Sequence, residues 1–226
     1  MKRTALLAAD GFEEVEGLTV VDLLRRAGLT CDIIAVSDGE EITGSHGIRI
    51  GADHSFADTD FDSFDAVIIP GGLRCTETLL ADERVKALLQ RFSLAGKLTA
   101  AVCAGPAVLA AAGILQGKKA VCYPGQEPRL TGAKICSDPV VQDGCVITSR
   151  GVGTSIPFAL TIIAYLEDSK TAERIAESSV FPGLSAKQLL SSVFFRTLTG
   201  FPTICFMPYM LKTRMPLFFS ATVSAI

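Results

Sequence analysis

One cysteine of this chain follows a short apolar run and precedes a glycine and a proline. The run spans residues 97–102, and Cys103 is followed by Ala104, Gly105 and Pro106. Because proline is favoured in the first turn of a helix, the segment predicts a sharp strand-to-helix turn that presents a nucleophile. A helix N-terminus would also favour the thiolate. Most free cysteines are instead small apolar fillers, and the residues alone leave both interpretations open.

A second turn could supply hydrogen-bond donors. Gly71 and Gly72 follow the apolar run 66–69 and Pro70. Glycine lets backbone N–H groups approach a ligand closely, so the N–H groups of Gly72 and Ala104 could form an oxyanion hole. We expect Gly71 to belong to the same oxyanion and substrate-binding site. The alternative is an ordinary tight turn with no role in chemistry.

Three glutamates open the first predicted helix. Glu13, Glu14 and Glu16 lie where acidic side chains stabilise a helix N-terminus, which accounts for at least two of them. A carboxyl group that points inward beside a cysteine, in a partly dry site, would have a raised pKa and could give or take a proton. The pattern does not select which of the three does so.

Histidines are scarce, which limits the possible chemistry. The chain contains only His46 and His54, no histidine follows Cys103, and the next residue is Ala104. A cysteine–histidine pair in the usual chain order is therefore absent, and amide hydrolysis is disfavoured. His46 lies in a predicted hairpin, where most histidines are surface residues, although either histidine could line a site.

The scaffold for these residues is predicted to be an α/β fold. Apolar runs predict strands at 4–9, 31–36, 66–69, 97–102, 120–123 and 145–148, with loop between 123 and 143. A polar, glycine-rich stretch predicts a hairpin at 44–47. Apolar residues at helical spacing, bounded by Gly or Pro, predict helices at 13–27, 85–96, 106–112 and 155–166. Alternating strands and helices imply a mostly parallel sheet with helices on both faces, and function gathers at the carboxyl ends of such strands.

Composition narrows the class of protein. A chain of 226 residues, 49% of them hydrophobic, can bury the core of one domain. A net charge of −3 gives no basic surface for nucleic acid. Seven cysteines without paired spacing indicate neither a disulfide framework nor a structural zinc site. Because Asp10 interrupts the first apolar run, we expect no export signal and a cytoplasmic location.

Five motifs together resemble the ThiJ/PfpI superfamily, in its DJ-one branch, over roughly residues 3–180. They are G-F-E-E-V-E (11–16), D-L-L-R-R-A-G (22–28), I-I-P-G-G (68–72), A-A-V-C-A-G-P (100–106) and T-S-R-G-V-G-T-S (148–155). The resemblance implies a flavodoxin-like sandwich, usually dimeric, with Arg26 toward the dimer contact. It also implies that Cys103 is the nucleophile and Glu16 the acid that hydrogen-bonds its sulfur.

The activity implied by the resemblance is cofactor-independent chemistry on reactive aldehydes, as a glyoxalase or deglycase. Cys103 would add to methylglyoxal or glyoxal, Glu16 would move a proton between carbons, and hydrolysis would release a hydroxy acid. Glycated proteins or nucleotides would be further substrates, with no metal or organic cofactor. The alternative is an oxidative-stress sensor or chaperone that works through Cys103 oxidation. A cysteine peptidase or amidotransferase is a weaker third hypothesis.

Two positions depart from the pattern of that branch. Tyr123 stands where the branch has a histidine, and His46 stands where it has an arginine. Both residues could line the site and alter substrate preference, while the pair Cys103 and Glu16 is kept.

The last part of the chain differs in composition from the rest. Residues 178–226 contain no acidic and four basic residues, whereas residues 1–177 carry 17 Lys and Arg against 24 Asp and Glu. We therefore expect a family domain over 1–180 and an atypical extension over 181–226. Its longest uncharged stretch, residues 197–211, contains two prolines and is shorter than the roughly twenty residues of a spanning helix, so we expect no transmembrane helix. It could be an interaction or membrane-surface segment, a disordered appendage, or sequence translated in an altered frame, and we favour the last two.

Overall fold

The computed structural model describes residues 1–37 and 39–181. The predicted extension over 181–226 lies outside these residues except for Phe181, so the division into a domain and an extension stays a prediction. Within the described ranges no helix is both long and apolar enough to cross a membrane.

The described residues contain eleven strands and six α-helices. The strands are β1 Arg3–Ala8, β2 Thr30–Ala35, β3 Glu41–Thr43, β4 Arg49–Gly51, β5 His54–Ser55, β6 Ala66–Ile69, β7 Leu98–Val102, β8 Lys119–Ala120, β9 Lys134–Ile135, β10 Val140–Asp143 and β11 Val146–Ser149. The helices are α1 Glu14–Arg26, α2 Leu73–Ala81, α3 Glu83–Leu94, α4 Pro106–Ala111, α5 Ser155–Leu166 and α6 Ser169–Ser178. Strands and helices alternate from β1 to β2 and from β6 to α4, as predicted, with two helices between β6 and β7, whereas β2 to β5 follow one another without an α-helix.

Seven strands form the central sheet in the order β10-β11-β7-β6-β1-β2-β5. All neighbours are parallel except β10 and β11 at one edge. Strands β6 and β7 are buried along their whole length, which parallel strands achieve only when both faces of the sheet are covered. Two helix groups provide the cover, α1 with α5 and α6, and α2 with α3 and α4. The predicted α/β sandwich is confirmed.

Several element boundaries confirm the sequence pattern, and three predictions are wrong. Strand β6 and helix α5 have the predicted bounds. The predicted strand 120–123 is instead the two-residue β8, which pairs with β9 outside the central sheet. The predicted loop before residue 143 contains the edge strand β10. Its last two residues, Gln142 and Asp143, are polar, so the sequence has no apolar run that would predict a strand. Helix α2 is absent from the sequence prediction because Cys75 and Thr76 occupy two of its buried positions and give little apolar periodicity.

Parallel pairing brings the functional turns together. Leu6 of β1 pairs with Ile68 of β6, and Ile69 pairs with Ala101 of β7. The segments that follow these three strands therefore leave the sheet at the same edge. The antiparallel β3–β4 hairpin, predicted from its glycines, lies next to this edge because Gly11 N–H donates to Thr43 O at 2.7 Å.

Candidate active site

Cys103 occupies a strained turn directly after β7. Its φ is +63°, a region that residues other than glycine rarely adopt and that costs about 1 to 3 kcal/mol. Neighbouring backbone holds it there: Cys103 N–H donates to Ser149 O at 3.0 Å, and Tyr123 N–H donates to Cys103 O at 2.8 Å. The side chain is partly exposed. The turn therefore has the geometry of a nucleophile elbow, with backbone partners from two other segments.

Glu16 is the inward-facing acid that the sequence pattern could not select. It lies in the first turn of α1 and is 0% exposed. Its Oε2 accepts a hydrogen bond from Gly71 N–H at 3.0 Å. Its Oε1 is buried, and no N–H or O–H group among the described residues donates to it. One oxygen is thus fixed by the scaffold, and the other is available to a reacting group.

Burial raises the pKa of Glu16 to about 7. Its interaction with the Cys103 thiol and the Gly71 hydrogen bond lower this pKa, while the charge of Glu13 raises it. A carboxyl group with a pKa near 7 can accept and release a proton at neutral pH, which general acid–base catalysis requires.

The Cys103 thiol is not activated by the start of α4. Burial and then the charge of Glu16 raise the pKa of Cys103 to about 12, and hydrogen bonds from Ala104 and Gly72 N–H oppose this rise. The expected helix effect is outweighed because α4 has only six residues and the thiol shares its site with a carboxylate. The start of α4 therefore does not by itself produce a thiolate at Cys103.

The N–H groups of Gly71, Gly72 and Ala104, predicted together at this site, bind two different side chains. The N–H groups of Gly72 and Ala104 hydrogen-bond the Cys103 sulfur. They therefore lie next to the place where an oxyanion would form if that sulfur attacked a carbonyl group. Gly71 instead donates to Glu16, so the structure places it as a positioning residue. A Cβ atom on Gly71 would lie 2.5 Å from Cys103 Cβ and 3.0 Å from its Sγ. Glycine at this position lets the acid and the sulfur approach each other.

The Cys103 sulfur faces a cavity of about 1230 Å³ that opens to solvent. The predicted residues that line it are Glu16, His46, Gly72, Cys103, Ala104 and Tyr123. His54 lies in β5 and is not among the lining residues. Arg26 does not line the cavity either and pairs with Asp22 at 2.7 Å. Its place at a dimer contact stays a prediction.

The two residues that depart from the branch pattern both reach this cavity. Tyr123 is 52% exposed, and its backbone fixes the Cys103 turn. His46 is exposed, and a hydrogen bond to Glu14 raises its pKa. Although burial raises the pKa of Glu14, hydrogen bonds from His46 and Ser45 outweigh that effect and hold it at about 2.

Sequence reasoning missed the segment after β11 as part of the cavity wall. Arg150, Gly151, Val152 and Thr154 all line the cavity. A Cβ atom on Gly151 would lie 3.6 Å from Glu16 Oε1, so the segment passes close to the acid. The signal was present, because these residues belong to the motif at 148–155 and follow a strand beside β7.

One group of side chains at the cavity rim has atoms suited to hold a metal ion. Ligand atoms of Glu13, Glu14 and His46 all lie within 4.8 Å of one another. Among the described residues this is the only such group of three.

The chain belongs to the DJ-1/PfpI family, whose model matches residues 2–165. It is 37% identical over 180 residues to Protein dj-1beta of Drosophila melanogaster, covering 78% of this chain and 96% of that protein. A glutathione-independent glyoxalase of Caenorhabditis elegans is 37% identical over 72% of this chain and 87% of its own length. A deglycase of Pyrococcus abyssi is 33% identical, covering 67% and 91%.

Solved structures show the same likeness. A mutant of a DJ-1 superfamily protein from Salmonella typhimurium matches with a TM-score of 0.77 at 34% identity, covering 81% of this chain and all of that one. The structure called oxidized Toxoplasma gondii DJ-1 matches with a TM-score of 0.78 at 32% identity and the same coverage. The fold and the family are therefore those of DJ-1 proteins.

Proposed function

We propose that this protein is a cofactor-independent glyoxalase and deglycase that uses Cys103 and Glu16. One observation carries the proposal: a strained cysteine faces a buried carboxyl group and two backbone N–H donors at the base of an open cavity. Methylglyoxal, glyoxal and their adducts on amino groups are the proposed substrates. Similarity to a named glyoxalase and a named deglycase supports this choice.

The first step is addition of sulfur to the aldehyde. Glu16 accepts the thiol proton, and the Cys103 thiolate attacks the aldehyde carbon of methylglyoxal. The carbonyl oxygen becomes an oxyanion within reach of Gly72 and Ala104 N–H, which stabilise its charge. Glu16 then returns its proton to that oxygen. The product of this step is a hemithioacetal on Cys103, and Glu16 is again a carboxylate.

The second step moves hydrogen between two carbons. Glu16 removes the proton from the hemithioacetal carbon and delivers it to the neighbouring ketone carbon, through an enediol. The aldehyde carbon is oxidised to a thioester while the ketone carbon is reduced to an alcohol, so no external oxidant is needed. Water then hydrolyses the thioester and restores the Cys103 thiol. The sum is methylglyoxal plus water giving lactic acid.

Lactate formation from methylglyoxal without glutathione tests this function. We expect turnover by wild type and none by Cys103→Ser or Glu16→Gln. Cys145→Ser is the matched control, because Cys145 is also a partly exposed thiol but does not line the cavity. Lactate from Cys103→Ser at the wild-type rate would refute the proposal.

A second candidate function is sensing of oxidants through Cys103. The sulfur is partly exposed and lies beside Glu16, which can donate a hydrogen bond to a sulfinate when protonated. The likeness to an oxidized Toxoplasma gondii DJ-1 favours this candidate over peptidase activity. A chain that gains two oxygens at Cys103 in peroxide but makes no lactate would support the sensor function instead.

A further inference from the structure

A compact group of polar side chains lies at the rim of the cavity and takes no part in the proposed reaction. We call it the rim cluster: Glu13 and Glu14 at the start of α1, and Ser45 and His46 in the β3–β4 turn. We propose that the rim cluster binds a divalent metal ion of the Zn²⁺ class. The ligands would be Glu13 Oε2, Glu14 Oε2 and His46 Nδ1, with Ser45 Oγ or solvent as the fourth.

The spacing of the four atoms fits a tetrahedral site. Ser45 Oγ lies 2.9 Å from Glu13 Oε2, 3.0 Å from Glu14 Oε2 and 3.0 Å from His46 Nδ1. His46 Nδ1 lies 2.9 Å from Glu14 Oε2 and 3.7 Å from Glu13 Oε2. Bonds of roughly 2.0 to 2.1 Å from Zn²⁺ to nitrogen and oxygen place tetrahedral ligands about 3.3 Å apart. These five separations bracket this value, and the ligand atoms of the two carboxylates lie within 4.8 Å of each other. A shift of the carboxylate side chains toward each other would complete the site.

Unbalanced charge is a second reason to expect a cation. The side chains of Glu13 and Glu14 are only 15% and 4% exposed. Within the described part of the chain, neither carboxylate forms an ion pair with a lysine or arginine, and His46 is their sole partner able to carry positive charge. Two largely buried carboxylates opposite one imidazole leave a net negative site, and buried charge is costly unless it is paired or bound to a metal. A divalent ion would neutralise both.

The two oxygens of Glu14 have separate roles, which leaves one of them for a ligand. Oε1 accepts hydrogen bonds from His46 N–H at 2.7 Å and from Ile48 N–H at 3.4 Å. These bonds fix the β3–β4 turn against α1. Oε2 contacts only side-chain atoms of the cluster, Ser45 Oγ and His46 Nδ1. Backbone contacts thus orient the carboxylate in the way that outer-shell hydrogen bonds orient metal ligands.

The chain allows a clean test because it has only two histidines. The full-length protein would be titrated with Zn²⁺ by calorimetry, and with Co²⁺ by visible absorption, which is intense for tetrahedral sites. The variants would be His46→Gln and Glu13→Gln, with His54→Gln as the matched control. His46 and His54 are both exposed, so their substitution leaves the core intact. Cys103→Ser tests whether metal binds the catalytic thiol instead.

We expect one ion per chain in wild type, in His54→Gln and in Cys103→Ser. His46→Gln and Glu13→Gln should each weaken Zn²⁺ binding at least about tenfold and reduce the visible Co²⁺ absorption. Binding that is absent in wild type, that survives unchanged in His46→Gln, or that disappears in Cys103→Ser with a thiolate charge-transfer band would overturn the proposal. Lactate formation is measured separately, so failure of this proposal leaves the proposed function untouched.

Discussion

Gly71→Ala would place a methyl group between the acid and the nucleophile of the proposed active site. The added Cβ would lie 2.5 Å from Cys103 Cβ and would also collide with Glu16 Oε2. Non-bonded carbons prefer a separation of about 3.5 to 4.0 Å, so Cys103 must move by about 1 Å or more. Gly71 does not have a left-handed φ, and the effect therefore arises from the collision and not from backbone strain.

The displacement should affect turnover more than folding. A misplacement of about 1 Å at reacting groups costs on the order of 100-fold in rate. Overpacking of a buried site costs about 1 to 3 kcal/mol in the free energy of unfolding. We therefore expect Gly71→Ala to remain folded and to lose at least about 100-fold in kcat/KM for methylglyoxal.

The assay compares Gly71→Ala with Gly51→Ala. A Cβ atom on Gly51 has no neighbour within 4 Å, and Gly51 in β4 also lacks a left-handed φ. Urea unfolding checks that both variants fold, and lactate formation measures turnover. Gly51→Ala should match wild type. A folded Gly71→Ala protein with wild-type turnover would show that the contact between Glu16 and Cys103 does not drive the reaction.

Three further predictions concern the same pair. Because the charge of Glu16 raises the pKa of Cys103, Glu16→Gln should shift the alkylation of Cys103 by iodoacetamide to lower pH, and an unchanged profile would contradict that coupling. Folded Glu16 keeps its proton up to about pH 7, whereas in the unfolded chain it is lost near the ordinary value of 4.5. The folded state binds more protons between these values, so the free energy of unfolding should fall as pH rises from 4.5 to 7, by on the order of 3 kcal/mol. Urea titrations should show this loss in wild type and not in Glu16→Gln. Finally, Cys103→Gly should melt at a higher temperature than Cys103→Ala, because glycine tolerates φ +63°; equal melting temperatures would argue against strain at the elbow.

The sequence predicted the parts of the site that depend on local chain geometry. The sharp turn at Cys103 could be predicted because small residues, a glycine and a proline surround it, and the structure has this turn. The position of the Gly72 and Ala104 N–H groups near the sulfur could be predicted because both residues lie just after buried strands. Such features depend on a few consecutive residues, so they can be recognised before the fold is known. The catalytic roles of these residues stay predictions.

Other parts depend on contacts between distant segments. Three glutamates lie at the start of α1. Glu14 and Glu16 are both buried, and Glu16 is distinguished by its contacts with Gly71 and Cys103 in the turns that follow β6 and β7. The task of Gly71 depends on the approach of Glu16 across 55 residues of sequence. The edge strand β10 has the sequence V-V-Q-D, which shows no alternation of apolar and polar residues. Its pairing with β11 depends on backbone atoms, and the local sequence does not reveal it. The contact of His46 with Glu14 likewise joins a hairpin turn to a helix start.

The central claim is that Cys103 and Glu16 act in sequence on one substrate, and single-turnover measurement of Glu16→Gln tests it most directly. Methylglyoxal would be mixed with excess enzyme, and intact mass and lactate would be followed together. We predict that Glu16→Gln forms a reversible adduct on Cys103 but makes no lactate, whereas wild type forms the adduct and converts it. Lactate from Glu16→Gln at the wild-type rate, or an adduct that persists in Cys103→Ser, would contradict the account.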